Sequence, residues 1–156
     1  PFTSLINPED KRFFKPDNMP HAIAGFCRET NQPEPAAHGA TVRCVLESLA
    51  LLYALRLKEA EELTGSPIKR LHIVGGGSRN ALLNQFTANA CSMEVIAGPT
   101  EATALGNVLV QAITLGDLPD LASARQVVGQ SMDVKSFQPK DSASWNVAKT
   151  RFKELT

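Results

Sequence analysis

An α/β fold is predicted by three features of the sequence. Two short runs of strand-forming residues, Leu71–Val74 and Glu94–Ile96, are each followed by a segment with helical apolar spacing. Strands that alternate with helices give a parallel sheet with crossover connections. The 156-residue length suits one domain, and it is long enough to bury a core without a metal or disulfide staple.

Residues 1–17 carry Pro1, Pro8 and Pro16 and no periodicity, so they read as irregular. "DNMPHAIAGFCRET" reads as a short helix capped by Asp17 or Asn18, with Pro20 where the first turn tolerates a missing N–H. The prolines of "NQPEPAAHG" make a loop. The segment from Ala40 to Gly65 is the longest helix, and Gly65 stops it. Its stripe of Val42, Val45, Leu46, Leu49, Leu52 and Tyr53 predicts burial against a sheet. After the first strand, Ala81–Cys91 is a helix with Leu82, Leu83, Phe86 and Ala90 facing inward. The second strand ends in a Gly98-Pro99 turn, and Thr100 is placed to cap a helix near residues 101–115, with Glu101 in its first turn. Gly106 interrupts that helix at about 1 kcal/mol relative to alanine, as a glycine does where close packing is needed. "DLASARQVVG" is a helix capped by Asp120, "SMDVKSFQP" is extended or irregular, and a last helix presents Trp145, Ala148, Phe152 and Leu155 on one face.

Two strands are too few for a stable sheet. Either another strand lies in residues 1–16 or 131–138, or the sheet is completed from outside these residues. Together with an opening Pro1 in place of methionine, this predicts a segment of a longer protein.

Sixteen Lys and Arg balance sixteen Asp and Glu, and no basic stripe stands out, which argues against a nucleic-acid or anionic-membrane partner. No apolar run is long enough to span a bilayer, and no basic-then-apolar leader is present. Cys27, Cys44 and Cys91 are too widely spaced for a zinc site and odd in number for a secreted framework, which points to a reducing, cytoplasmic setting. Cys27 and Cys44 lie on two helices. They pair if those helices pack together, or remain buried thiols.

The chemistry-bearing stretch is "LHIVGGGSRN", residues 71–80, a strand running into a glycine turn and then a helix. A phosphate-cradling P-loop needs a lysine after the glycines, and none follows Gly77. A dinucleotide fingerprint needs a third glycine where Asn80 stands, and an acid ending the next strand, whereas Glu94 begins it. The turn still lets a flat ring or a phosphate approach the backbone, because glycines have no Cβ. The helix after it directs free N–H groups toward an anion. A tight turn with no ligand satisfies the same pattern. His21, His38 and His72 are far apart and read as surface or packing residues. Ser4, Ser48 and Ser78 lack a nucleophile-elbow context. Lys58 with Glu62, and Lys149 with Lys153, read as solvated helix faces.

Longer stretches carry a resemblance. "SLINPED", "FFKPDNMPHAI", "CRETNQPEP", "RCVLESLALLYA", "LHIVGGGSRNALLNQFTANAC" and "VIAGPTEATALGNVLVQ" together resemble the C-terminal part of the FGGY carbohydrate kinases. The likeness covers nearly all of residues 1–156 and weakens after Ser136. It implies the latter part of an actin-like, ribonuclease-H-like ATPase domain, with short parallel strands and crossover helices, that forms one wall of a cleft between two domains. By that resemblance Gly76 matches the ATP contact, Gly75 and Gly77 flank it, and Asn80 matches a nucleotide-contacting position. Arg79 matches no family role.

The implied reaction moves the γ-phosphoryl group of ATP to a ketose hydroxyl. Mg2+ would be held by ATP and by residues outside this chain. The family's sugar site, catalytic aspartate and N-terminal phosphate loop match nothing here, so the chain alone is expected to be inactive. ATP or ADP and a sugar are the implied partners. An incomplete sheet leaves an unpaired edge that predicts self-association. A non-catalytic interaction domain and a dinucleotide-dependent oxidoreductase are the readings from other classes. The misplaced acid and absent third glycine disfavour the second.

Overall fold

In the computed structural model, which describes residues 1–156, an irregular N-terminal segment leads into α1 (Met19–Glu29) and α2 (His38–Thr64). Then follow β1 (Leu71–Ile73), α3 (Ala81–Cys91), β2 (Val95–Ala97), α4 (Ala102–Leu115), α5 (Leu121–Ser131), β3 (Lys135–Phe137) and α6 (Ser142–Lys153). Side-chain caps set most helix starts. Asn18, not Asp17, caps α1 by accepting the His21 N–H at 3.0 Å. Asp120 Oδ1 accepts from Ser123 at 2.8 Å to cap α5. Gly65, at φ 64°, closes α2 in the left-handed conformation that glycine adopts without steric cost. Thr100 does not cap α4. The cap position is Glu101, no side chain bonds there, and the Thr100 hydroxyl instead faces Ser78 Oγ at 3.5 Å.

β1 and β2 pair in parallel, with Leu71 opposite Val95 and Ile73 opposite Ala97. The third strand lies within 131–138, one of the two stretches where the sequence left room for it. It runs antiparallel to β2, with Val95 opposite Phe137. Its hold on the sheet includes a polar cluster. Glu94 accepts from Ser136 Oγ at 2.7 Å, from Gln138 Nε2 at 2.9 Å and from Arg70 Nε at 2.8 Å. These donors hold the Glu94 carboxyl below its ordinary pKa, with Ser136 contributing most. The outer edge of β1 has no strand partner within the chain.

The core is helical. α2 lies mainly on α3 and also meets α6, rather than covering the sheet. Its inward stripe is Cys44, Glu47, Ser48 and Leu51, with Leu46, Ala50 and Leu52 beside it. Val42 and Tyr53, expected inside, are exposed. The stripe is rotated because two polar residues, Glu47 and Ser48, are needed inside. Similarly α3 turns Leu83, Phe86, Thr87 and Ala90 inward and leaves Leu82 48% exposed. α4, apolar by composition, buries no residue. Val108 and Val110 are 63% and 58% exposed, and a Cβ at Gly106 would meet nothing within 4 Å. No helix is long and apolar enough to cross a membrane. Cys27 and Cys44 are free thiols in a second buried cluster with Ile6, Ile23 and Phe26. Burial pushes both thiols up, Cys44 to about 12.

Glu47 and Ser48 hold the N-terminal segment. The Phe2 N–H donates to Glu47 Oε2 at 2.7 Å, and the Ile6 N–H donates to Ser48 Oγ at 2.9 Å. Gln32 accepts the Leu5 N–H and donates to the Leu5 carbonyl, both at 2.8 Å. Arg151 Nη2 donates to the Phe2 carbonyl at 2.6 Å, and the Phe2 ring meets Trp145 edge to face at 4.7 Å. Glu47 is buried with its charge, which costs free energy unless it is paired. Arg43 Nε, one turn earlier, donates to Glu47 Oε1 at 2.7 Å. Replacing Glu47 with leucine strips the Phe2 N–H of its acceptor and loses a charge-assisted bond. Urea unfolding of Glu47→Leu is expected to show about 2 kcal/mol lost. An unchanged midpoint would refute the anchoring role.

Candidate functional site

β1 and β2 end side by side, and the loop after each leads to a helix. In open α/β sheets, ligands bind outside the carboxyl ends of such strands. The first loop is a 3-10 turn, Gly75–Arg79, that runs into α3. The second is Gly98–Glu101, at the start of α4. Backbone bonds join the two: the Gly98 N–H donates to the Ile73 carbonyl at 2.8 Å, and the Gly75 N–H donates to the Pro99 carbonyl at 3.1 Å.

The turn is braced from within. Ser78 Oγ donates to the Gly75 carbonyl at 2.7 Å, and the Asn80 N–H donates to the Gly77 carbonyl at 3.1 Å. Asn84 Nδ2 reaches back from α3 to the Ser78 carbonyl at 2.9 Å. Asn84 is fully buried, and its Oδ1 has no partner. The sequence reading missed this residue. An asparagine one position after inward-facing Leu83, in "ALLNQF", was the available signal.

The glycines differ in what they require. Gly75 sits at φ 74°, so glycine serves the backbone there. A Cβ on Gly77 would touch Ile73 Cγ2 at 3.7 Å, an ordinary contact. Gly76 lies outside the left-handed region, and a Cβ there would meet nothing within 4 Å. Nothing inside the chain therefore demands glycine at position 76. Asn80 is exposed and caps α3, its Oδ1 accepting the Leu83 N–H at 3.0 Å. Arg79 lies 3.8 Å from Glu101, but both side chains are largely exposed, so the pair adds little to stability. A cavity of about 270 Å³ adjoins the turn, between Ser78, Thr100 and Gly98 on one side and Asp133, Lys135 and Phe137 on the other. No local pattern signals it, because β3 brings the second group. The three histidines are exposed and none lines this cavity. No cluster of three His, Cys, Asp or Glu side chains is arranged to hold a metal ion.

Solved structures share this fold. A xylulose kinase from Rhodospirillum rubrum superposes with a TM-score of 0.60 at 22% identity, covering 76% of this chain and 24% of that one. A gluconate kinase from Lactobacillus acidophilus does so with a TM-score of 0.59 at 17% identity, covering 74% and 23%. Residues 1–115 match the C-terminal domain of the FGGY family of carbohydrate kinases. The chain belongs to that family.

Among its relatives is a rhamnulokinase of Bacteroides thetaiotaomicron, 51% identical over 153 residues, which are 98% of this chain and 32% of that one. A rhamnulokinase of Bacillus subtilis is 47% identical over 141 residues, 90% and 29% of the two chains. The chain spans about a third of the length of these curated relatives. It is rhamnulokinase-like, and its mixed α/β fold with a small three-stranded sheet is that of the family's actin-like C-terminal domains.

Asn84→Leu frees the Ser78 carbonyl by putting an apolar residue of similar size in place of the amide. Amide exchange at Gly77–Arg79 is expected to speed up about tenfold, the loss of one net hydrogen bond, while α6 stays protected. Unchanged exchange in the turn would show that Asn84 does not brace it.

Proposed function

We propose that this chain forms the C-terminal part of a kinase's nucleotide-binding domain. The whole protein would transfer the γ-phosphoryl group of ATP to the 1-hydroxyl of L-rhamnulose. The observation that carries the nucleotide reading is Gly76, a glycine that the fold leaves free of any internal reason to be one. Its open side, at the carboxyl ends of two parallel strands and before α3, suits close approach of the adenosine end of ATP to the backbone. The exposed Asn80 amide can donate to the nucleotide while its oxygen caps α3. Gly75, at positive φ, holds the turn's shape on one side, and Gly77 flanks Gly76 on the other. The identity to rhamnulokinases supports the choice of sugar.

In phosphoryl transfer the protein contributes positioning and charge neutralisation more than covalent help. This chain contributes positioning. Its turn is held by bonds to Pro99, Ser78 and Asn84, so it meets the nucleotide already ordered. The general base, the sugar contacts and the ligands of Mg2+ are assigned to chain beyond these residues, and residues 1–156 alone are inactive in this reading.

Gly76→Ala separates the fold from the site. Its thermal midpoint is expected to stay within a degree or so of the parent, while ADP affinity falls about tenfold from a Cβ intruding on the ligand. Gly75→Ala is expected to cost about 1–2 kcal/mol of stability from its left-handed backbone. Equal ADP affinity in the parent and Gly76→Ala would remove the nucleotide reading. The sugar is tested by coupled assay of the full-length protein with L-rhamnulose, L-fuculose and xylulose in turn. Preference for L-rhamnulose is expected, and a clear preference for either other sugar would reassign the substrate.

A further inference from the structure

Sequence patterning puts Lys149 and Lys153 on a solvated helix face. The structure corrects half of that. Lys153 is exposed, but Lys149 is half-buried at a cavity where α2, α3 and α6 meet. The cavity holds about 350 Å³, near the lower end of the roughly 300–1,000 Å³ typical of small-ligand sites. Its floor is apolar, made by Leu51, Leu55, Ala90 and Phe152, and Cys91 and Met93 stand at one side.

The charges around this floor do not balance. Lys58, Lys149 and Lys153 line the cavity against a single carboxylate, Glu61. Glu61 accepts the Ile68 N–H through Oε1 at 2.7 Å and forms no ion pair with the three lysines. Lys58 has a partner outside the lining, Glu62, at 4.0 Å. Lys149 Nζ bonds only to the neutral Asn146 Oδ1, at 3.0 Å, and Lys153 forms no ion pair. These two ammonium groups are four residues apart on one helix, where like charges repel. Burial above all, with the Lys153 charge adding to it, pushes the Lys149 amine below its ordinary value.

We propose that this cavity binds a small organic anion, with an apolar chain or ring lying on the floor and a carboxylate or phosphate monoester between Lys149 and Lys153. An anion there pairs two ammonium groups that no carboxylate of the chain pairs, and its apolar body lies against the half-buried Ala54, Leu55, Leu57 and Met93 of the lining. The site lies at the C-terminal end of α3, whereas the glycine turn precedes its N-terminus. An 11-residue helix is about 16 Å long, so the two ligands do not compete.

Calorimetry of the full-length protein with octanoate and octyl phosphate tests this, with octan-1-ol and acetate as the uncharged and body-less controls. The two anions distinguish a carboxylate from a phosphate preference. At least one should bind ten times more tightly than either control, in the presence of ADP as in its absence. It should also slow alkylation of Cys91, a thiol that burial raises to about 11, under mildly alkaline conditions. A doubly substituted protein, Lys149→Met with Lys153→Met, keeps the aliphatic stems and should lose at least tenfold. Ala54→Phe fills the cavity from α2 and should abolish binding. Binding of octan-1-ol equal to both anions, no anion binding, or full affinity in the double variant would each overturn the proposal.

Discussion

The fold depends on a backbone that is satisfied by side chains. Residues 2–6 have no strand beside them, yet the amides of Phe2, Leu5 and Ile6 all find acceptors, on Glu47, Gln32 and Ser48. A buried backbone amide without a partner would cost as much as a lost hydrogen bond. The solution places a charged and a hydroxyl residue on the inward stripe of α2. Arg43 then pairs with Glu47 and lies over the Phe86 ring of α3 at 5.3 Å. One constraint thus runs from the N-terminal segment through α2 to α3, the helix that follows the glycine turn.

That constraint decides how much the sequence could reveal. α3 was legible to its ends, because Leu83, Phe86 and Ala90 recur at helical spacing, and the structure adds that Asn80 caps it. The caps Asn18, Asp120 and Gly65 were legible for the same local reason. The face of α2 was not, since an apolar pattern cannot anticipate that Glu47 and Ser48 are the buried positions. β3 was hidden because "KSF" has no alternating apolar face and its hold on β2 runs partly through Glu94. Lys149 was misplaced for a related reason. A long side chain buries its stem or exposes it according to what packs nearby, which spacing along one helix does not report.

The candidate site divides along the same line. The glycine run marked the turn, and its position after a strand marked the ligand-facing end of the sheet. The local pattern did not distinguish the three glycines, and only the family resemblance singled out Gly76. Geometry supplies a physical difference between Gly75, whose backbone is at positive φ, and Gly76, whose open side is unused by the chain. The brace from Asn84 is likewise a tertiary fact, since it depends on how the turn folds back over the helix. A turn held by three such bonds meets a ligand with its shape already set, so little ordering entropy is lost on contact.

The bond from Arg151 to the Phe2 carbonyl joins residues 149 positions apart. During synthesis Phe2 emerges before α6, and the partner for its carbonyl emerges 149 residues later. The Trp145 ring that Phe2 meets arrives almost as late. Phe2 therefore completes its native contacts only after residues 145–151 have been made. Without α6, the segment is held by Gln32 and α2 alone, and the contact with α6 closes a long loop at an entropic cost.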